Sequence, residues 1–302
     1  MHPEQPARLT AIVEHLAACG ILARLRPLEF GPASPIDLAL AHEPAYVELV
    51  RLACEQEMTF IGSMETQIGP ESHDAAALAA GGVLAACDAV MAAAVRRAFC
   101  AVRPPGHHAG RDRASGFCLF NHVAIAAEHL LQRHGLQRVA IVDIDAHHGN
   151  GTEQILGARA GVLYFSVHEN SGTLPFPGTG EATGCDLEPL RGGVVNIPLP
   201  AGTGDDGYQK VFGESLLPAL NRFAPQFILV SAGFDAADGD PIAHLRVSPA
   251  GFGWMAGALV AAASRTAAGR LVSVLEGGYE PALLARCVAA HVAALEGRES
   301  GA

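Results

Sequence analysis

Residues 141–154, with the sequence IVDIDAHHGNGTEQ, place two aspartates and two histidines within six positions at the end of an apolar run. Asp143, Asp145 and His147 are spaced i, i+2 and i+4, so on an extended chain their side chains share one face. Burying three such groups at a strand end costs free energy unless they are paired. A divalent cation removes that cost, and carboxylate oxygens with an imidazole nitrogen suit zinc.

A second strand end carries another aspartate. A catalytic zinc site typically has three protein ligands and one open position, so a further ligand is expected from another loop. Asp235, in the segment AGFDAADGDP, is the candidate. An isolated aspartate at a strand end more often caps a helix or forms a turn. The occurrence of Asp and His at two strand ends favours a metal site.

The elements that must position these residues alternate along the chain. Six short runs are apolar at nearly every position, which is typical of a parallel sheet buried on both faces. Helix-like segments lie between many of them, and this alternation predicts one α/β domain over residues 1–302 with a central, mostly parallel sheet. The predicted strands are 98–102, 138–144, 161–167, 193–199, 226–232 and 270–276, and the predicted helices are 121–134, 207–221, 249–268 and 281–296.

The loops that follow five of these strands combine Gly or Pro with His, Asp or Tyr. In open α/β sheets, sites form at the carboxyl ends of the strands. The polar residues of these loops are therefore expected at one edge of the sheet. Taken singly, paired histidines or a loop tyrosine are more often structural. The loops read RPPGHHAG, DAHHGNG, HENSG, GFDAADGDP and GGYEP.

Composition argues against several classes of protein. A formal net charge of −11 without a basic stripe argues against nucleic-acid binding. The N-terminal residues lack a signal-peptide pattern, and the most apolar stretch, residues 74–98, is interrupted by glycines and charges, which predicts a packed helix and no membrane partner. Seven cysteines without a CxxC spacing predict a reducing compartment and hence a cytoplasmic protein. The sequence leaves the oligomeric state open, a homo-oligomer included.

Six motifs, RPPGHHA, GFCLFN, DIDAHHGNGT, PFPGTG, SAGFDAADGDP and LEGGY, together resemble those of the zinc-dependent histone deacetylase family. The resemblance is greatest to class II members and bacterial histone deacetylase-like amidohydrolases, and it extends to about residue 296. It implies the arginase–deacetylase fold, a three-layer α/β/α arrangement. It also implies hydrolysis of N-acyl-lysine side chains or related N-acyl amines, and inhibition by hydroxamates.

The resemblance implies a role for each matching residue. Asp145, His147 and Asp235 match the zinc ligands, and His107 and His108 match the tandem histidines that handle protons. Further catalytic matches are Asp143 as the partner of His107, Asn150 as the partner of His108, where class I members typically have Asp, and Tyr279 as the group that binds the carbonyl oxygen. The substrate-binding matches are Gly116, Phe117, Phe176 and Ile242, and Ser166 and Val167 with Asp143, Asp145 and His147 match a structural monovalent-cation site, usually potassium.

Two features depart from the family pattern. Family members usually have a strand and a loop before HPEQPARL, so the edge of the pocket formed by that segment is expected to differ. Ile242 stands where related lysine deacetylases usually carry Leu and polyamine-preferring relatives carry Glu. This favours an acyl-lysine substrate.

Three alternatives remain open. An acetylpolyamine amidohydrolase would use the same chemistry on a small cationic substrate. A manganese ureohydrolase of the arginase type shares the fold but typically has an aspartate where Gly149 stands, to bridge a second metal. A non-catalytic acyl-binding module would be signalled by loss of the tyrosine or of a histidine, and this sequence retains them.

Overall fold

The computed structural model describes residues 2–183 and 192–297. Its strands are β1 (Phe60–Ile61), β2 (Ser63–Gln67), β3 (Arg97–Cys100), β4 (Val139–Asp143), β5 (Val162–Glu169), β6 (Gly192–Leu199), β7 (Phe227–Ala232) and β8 (Leu271–Leu275). The first two form a small antiparallel pair. The other six form one sheet in the order β3-β8-β7-β4-β5-β6, and all its neighbouring strands are parallel.

The six predicted strands are the six strands of this sheet, with bounds that differ by at most two residues. β4, β5, β7 and β8 are buried at every position, which explains their continuous apolar character. The register sets Asp143 opposite Ser166 on one neighbouring strand and Ser231 on the other. The strand ends that carry the candidate residues therefore lie side by side.

Helices cover both faces of the sheet. They are α1 (Ala7–Ala18), α2 (Pro35–Leu38), α3 (Pro44–Glu55), α4 (Ser72–Met91), α5 (His122–Gln132), α6 (Asn150–Leu156), α7 (Asp205–Val211), α8 (Leu217–Phe223), α9 (Pro249–Thr266) and α10 (Pro281–Leu295), with a 3₁₀ turn at Leu22–Arg24. One apolar core lies between the sheet and α1, α9 and α10. A second lies between the sheet and α3, α4 and α5. The three-layer α/β/α prediction is confirmed.

One predicted helix is interrupted. The segment 207–221 is part of a longer helical run in which a π-helical turn, Phe212–Leu216, separates α7 from α8. Pro218 stands in the first turn of α8. Proline has no backbone N–H to donate, so a regular ladder of hydrogen bonds cannot pass through it. The sequence pattern of this segment is helical throughout, so it does not predict the π-helical turn.

Helix α4 contains most of the apolar stretch predicted as a packed helix, but it ends at Met91 and residue 98 belongs to β3. Of the described helices, α4 is the one that is long and apolar enough to cross a membrane, with a mean hydropathy of 1.5. Within the protein, 61% of that apolar window is buried. A side chain at Gly81 would collide with the backbone of Gly31. The helix thus packs as a core element.

Strand β3 is one edge of the sheet, and among the described residues β8 is its single neighbouring strand. An apolar cavity of about 600 Å³ lies beside it. Side chains of α1, α4 and α10 line this cavity, including Ile12, Ala86 and Leu295.

The six cysteines in the described ranges are free, and Cys185 lies outside them. The cytoplasmic location stays a prediction.

Candidate metal centre and active site

The ends of β4 and β7 bring together the three residues predicted as zinc ligands. Nδ1 of His147 lies 3.1 Å from Oδ1 of Asp145 and 2.9 Å from Oδ2 of Asp235. One ligand atom from each residue lies within 4.8 Å of the other two, and all three residues are buried. Their approach confirms the expectation that these strand-end loops converge at one edge of the sheet.

The donor set fits a divalent cation. Burial, followed by the charge of Asp145, raises the pKa of Asp235 to about 7. A bound cation would relieve this repulsion between two buried carboxylates. The surrounding backbone also fixes the carboxylates, because Gly277 N–H donates to Asp145 and Ala146 N–H donates to Asp235, each at 2.9 Å. Side chains at Gly233 or Gly277 would collide with Asp145.

His107 lies between two carboxylates. Its Nδ1 is 3.0 Å from Oδ2 of Asp143, and its Nε2 is 3.8 Å from Oδ2 of Asp145. Burial opposes the charged form of this ring, but the charges of Asp143, Asp145 and Glu276 outweigh burial and hold its pKa well above the ordinary value. His107 is therefore biased toward the imidazolium form.

His108 has the opposite bias. Burial, together with the positive charges of His107 and His147, holds its pKa well below the ordinary value. Its Nδ1 donates to the amide oxygen of Asn150 at 2.8 Å, which leaves the lone pair on Nε2. Gly116 has a φ of +53°, and a side chain there would collide with the ring of His108. Two adjacent histidines thus differ in charge because one has a carboxylate partner and the other an amide.

Tyr279 follows β8 on the same edge of the sheet. Burial, followed by the charges of Asp235 and Asp145, holds its pKa well above the ordinary value, so its hydroxyl keeps its proton. Within residues 2–183 and 192–297 the hydrogen bond of Tyr279 is made by its backbone N–H to Asp240, and its hydroxyl has no partner. The guanidinium of Arg8 lies 5.1 Å from the centre of the tyrosine ring. A hydroxyl that keeps its proton and has no partner among the described residues is well suited to bind a substrate carbonyl oxygen.

Two further residues hold the loop of Tyr279 in place. The buried Arg8 donates to the carbonyl oxygens of Gly278 and Glu276, at 2.6 and 2.5 Å. The carboxylate of Asp240 accepts from the N–H of Tyr279 at 2.7 Å and from the N–H of Ile242 at 3.0 Å. Asp240 therefore ties the half-buried Ile242 to Tyr279 through their backbones.

Aromatic rings flank the histidines and the tyrosine. The ring of Phe176 lies 4.9 Å from that of His108 and 6.1 Å from that of His147, and it is 36% exposed. The ring of Phe117 lies 5.9 Å from that of Tyr279. The predicted substrate-binding aromatics thus lie on both sides of the buried polar groups.

The residues predicted for a monovalent-cation site lie deeper. Ser166 and Val167 are buried on β5, next to the end of β4. The hydroxyl of Ser166 lies 2.8 Å from Nδ1 of His168. In the parallel register of β4 and β5, Ser166 stands opposite Asp143. The structure brings these residues beside Asp143, and the cation itself stays a prediction.

The chain matches the family model for the histone deacetylase domain over residues 2–295. It belongs to the histone deacetylase family. Its similarity to a histone deacetylase-like amidohydrolase from Pseudomonas aeruginosa is 40% identity over 299 residues, which are 99% of this chain and 78% of the relative. A probable deacetylase from Archaeoglobus fulgidus is 41% identical over 92% of this chain and 76% of its own.

Other relatives of this deacetylase-family chain extend beyond the shared region. The human polyamine deacetylase HDAC10 is 40% identical over 97% of this chain, which spans 44% of the human protein. The crystal structure of an HDA15 HD domain matches with a TM-score of 0.90 and 36% identity, over 99% of this chain and 83% of that one. These matches agree with the arginase–deacetylase fold and with membership of a hydrolase family.

Sequence reasoning missed several supporting residues. Glu276, within LEGGY, accepts from the backbone N–H groups of Gly106 and His107 at 2.7 and 3.2 Å. Burial raises its pKa to about 7. Tyr164 donates to Asp143 at 3.0 Å. Tyr164 lies on β5, and Glu276 directly follows β8. In both places, one polar residue in or beside an apolar run was the available signal.

Proposed function

We propose that this chain is a zinc-dependent hydrolase that removes acetyl or other acyl groups from N-acyl-lysine side chains or related N-acyl amines. The observation that supports this best is the buried approach of Asp145, His147 and Asp235 within 4.8 Å. Two histidines of opposite charge bias and an unpartnered tyrosine hydroxyl lie around that cluster. We also propose that residues 1–302 form one catalytic domain.

Asp145, His147 and Asp235 would hold the zinc ion through their carboxylates and Nδ1 of the imidazole. A zinc ion in such a site supplies Lewis acidity, which permits amide hydrolysis at neutral pH. The carboxylates are fixed by hydrogen bonds and the site is buried, so the ion could keep one coordination position open for water or substrate. We propose potassium beside Ser166 and Val167 as a structural ion, on the basis of the family resemblance.

The proton transfers fall to the histidines. The Nε2 lone pair of His108 can take a proton from the attacking water, because Nδ1 is held as the donor to Asn150. His108 then returns that proton to the nitrogen of the leaving amine as the carbon–nitrogen bond breaks. His107, charged beside Asp143, stabilises the negative charge that develops in the transition state.

Tyr279 stabilises the same charge from the other side. Its retained proton can be donated to the carbonyl oxygen as that oxygen becomes negative. Phe117 and Phe176 would enclose the apolar stem of an acyl-lysine, with Gly116 providing room beside His108. Ile242 would contribute an apolar wall near Tyr279.

An acetylpolyamine amidohydrolase is the second candidate. Human polyamine deacetylase HDAC10 is 40% identical over 97% of this chain, and the net charge of −11 favours attraction of cationic substrates. Ile242, in place of the glutamate of polyamine-preferring relatives, supports the acyl-lysine substrate instead.

A substrate panel tests both candidates. Purified enzyme with measured zinc content would be assayed on an acetyl-lysine peptide, longer acyl-lysines, acetylspermidine and a small acyl ester. We expect fastest turnover of an acyl-lysine, one bound zinc at the buried cluster, and inhibition by a hydroxamate. Preference for acetylspermidine would support the second candidate. Full activity of metal-free protein would overturn the zinc mechanism.

A further inference from the structure

A second group of metal-ligating side chains lies between helices α4 and α5, outside the candidate active site. Asp88 is on α4, His129 is in the last turn of α5, and His134 follows that helix. Nε2 of His129 and Nε2 of His134 each lie 2.7 Å from the same carboxylate oxygen, Oδ1 of Asp88. The three ligand atoms all lie within 4.8 Å of one another. This group is called the α4–α5 cluster below.

We propose that the α4–α5 cluster is a second metal site, which binds a divalent transition-metal ion such as zinc. Two imidazole nitrogens and one carboxylate oxygen form a donor set that suits Zn²⁺, Ni²⁺ or Cu²⁺. Ca²⁺ and Mg²⁺ prefer oxygen ligands and would bind poorly. The side chain of Asp88 is 54% exposed and that of His134 is 26% exposed, so solvent can complete the coordination.

The directions of the side chains suit a shared metal ion. Two histidine rings, with centres 5.1 Å apart, point their Nε2 atoms at one carboxylate oxygen. A cation between the three atoms would bind all of them at once. Bonds of 2.0–2.1 Å in tetrahedral geometry require ligand atoms about 3.3 Å apart. The observed separations of 2.7 Å must therefore widen by about 0.6 Å, which the exposed Asp88 side chain permits.

The surroundings predict modest affinity. Nδ1 of His129 is buried and has no hydrogen-bond partner in the described residues. A metal at Nε2 would leave the ring proton on Nδ1, where no acceptor meets it. Loss of such an outer partner typically costs about 10–100-fold in metal affinity. The α4–α5 cluster should therefore bind zinc in the micromolar range and exchange it readily.

Metal titration of the purified holoenzyme tests the site. Zinc binding would be measured by equilibrium dialysis, and Co²⁺ binding by its visible absorption, for wild type, Asp88→Asn and His134→Ala. Both changed residues are solvent-accessible, so each variant is expected to fold. His73→Ala is the matched control, because His73 and Asp74 form a 3.0 Å exposed pair without a third ligand. Thermal unfolding with and without zinc would be recorded in parallel.

We expect wild type and His73→Ala to bind one more zinc ion per chain, with a micromolar dissociation constant, than the other two variants. Asp88→Asn and His134→Ala should weaken that equivalent at least about tenfold, since each removes a ligand. Zinc should raise the melting temperature of wild type more than that of either variant. Equal metal uptake by wild type and both variants would overturn the proposal. Because the difference between variants is measured, the result is independent of what the buried cluster binds.

Discussion

The two clusters of metal-ligating residues use the same donor types in opposite settings. Asp145 and His147 lie in the loop after β4 and Asp235 in the loop after β7, and their side chains are at most 8% exposed. In the α4–α5 cluster the side chain of Asp88 is 54% exposed. Charges act far more strongly where water is excluded. Both clusters contain ligand types that suit a metal ion, whereas burial and neighbouring polar groups suit one of them to the catalysis that we propose.

The two clusters also differ in the hydrogen-bond partners that hold their carboxylates. Backbone N–H groups from two loops donate to the carboxylates of the buried cluster: Gly277 in the loop after β8, and Ala146 and His147 in the loop after β4. At Asp88, burial opposes a low pKa, and the hydrogen bonds from His129 and His134 outweigh it and lower that pKa. Its partners are therefore the two histidines themselves. We therefore expect ligands that are fixed by backbone hydrogen bonds to keep their positions better when the solvent conditions change or the metal is exchanged.

The largest expected effect comes from making one substitution in both clusters. Asp235→Asn keeps the shape of a buried ligand but removes its charge, and a bound metal supplies several kcal/mol to the transition state. Turnover should fall about 10³-fold. Asp88→Asn makes the same change in the α4–α5 cluster and should leave turnover within twofold. The measurement is kcat on an acyl-lysine peptide together with zinc content.

This pair of variants can also break the comparison. If Asp88→Asn reduced turnover as much as Asp235→Asn, the two clusters would be functionally linked, and burial would not separate their roles. If neither variant changed turnover, the buried cluster would have no catalytic function.

The buried cluster could be predicted from the sequence, and the α4–α5 cluster could not. Asp143, Asp145 and His147 follow the two-residue period of a strand, so their shared face is visible in the spacing. His129 and His134 are five residues apart, which is not a spacing of helical neighbours. They meet because the chain leaves α5 after residue 132. Asp88 comes from another helix, and tertiary packing alone brings it near.

The same reasoning explains what was missed within the active site. The polar loops could be assigned to one sheet edge because parallel strands share their carboxyl ends. The hydrogen bonds of Asp240 and Arg8 to backbone groups of distant residues depend on the folded loops. Such contacts have no period in the sequence, so sequence patterns did not predict these supporting roles.

Tyr279→Phe is expected to have the next largest effect. It removes one hydroxyl that we propose donates to the developing oxyanion, and such donors are worth about 10²–10³ in rate. Tyr208→Phe is the matched control, because Tyr208 is also buried and its hydroxyl has no partner in the described residues. Turnover, zinc content and melting temperature would be measured for both. A Tyr279→Phe enzyme within a few-fold of wild type would refute the oxyanion role.

A smaller effect is expected from Asp240→Asn. The aspartate accepts from the N–H groups of both Tyr279 and Ile242, whereas an asparagine has one carbonyl oxygen. One buried N–H would lose its acceptor, at a cost of about 1–3 kcal/mol. We expect turnover to fall about tenfold with unchanged zinc content. Asp238→Asn, in the same loop but 69% exposed, should change neither quantity. Equal rates for the two variants would show that Asp240 does not position Tyr279.

The smallest expected effect concerns substrate choice at Ile242. Ile242→Glu adds a carboxylate near the proposed substrate path, where it can pair with the ammonium of an acetylpolyamine. A pair about 4 Å apart gains about 1 kcal/mol in water and more when partly buried. A tenfold change in relative kcat/KM requires about 1.4 kcal/mol. We therefore expect the ratio of acetylspermidine to acetyl-lysine peptide turnover to rise about tenfold.

The control must separate local pairing from long-range attraction. Ile36→Glu adds the same charge on α2 at a residue that is 74% exposed and outside the candidate site. Both variants therefore lower the net charge by one, and any steering common to them cancels in their comparison. The Debye length is about 10 Å at 0.1 M salt, so a close ion pair should persist at that ionic strength while distant attraction is screened. A ratio that rises only for Ile242→Glu, and remains raised in salt, would place residue 242 beside the substrate. A ratio that rises equally for both variants would assign the preference to net charge and remove Ile242 from the substrate path.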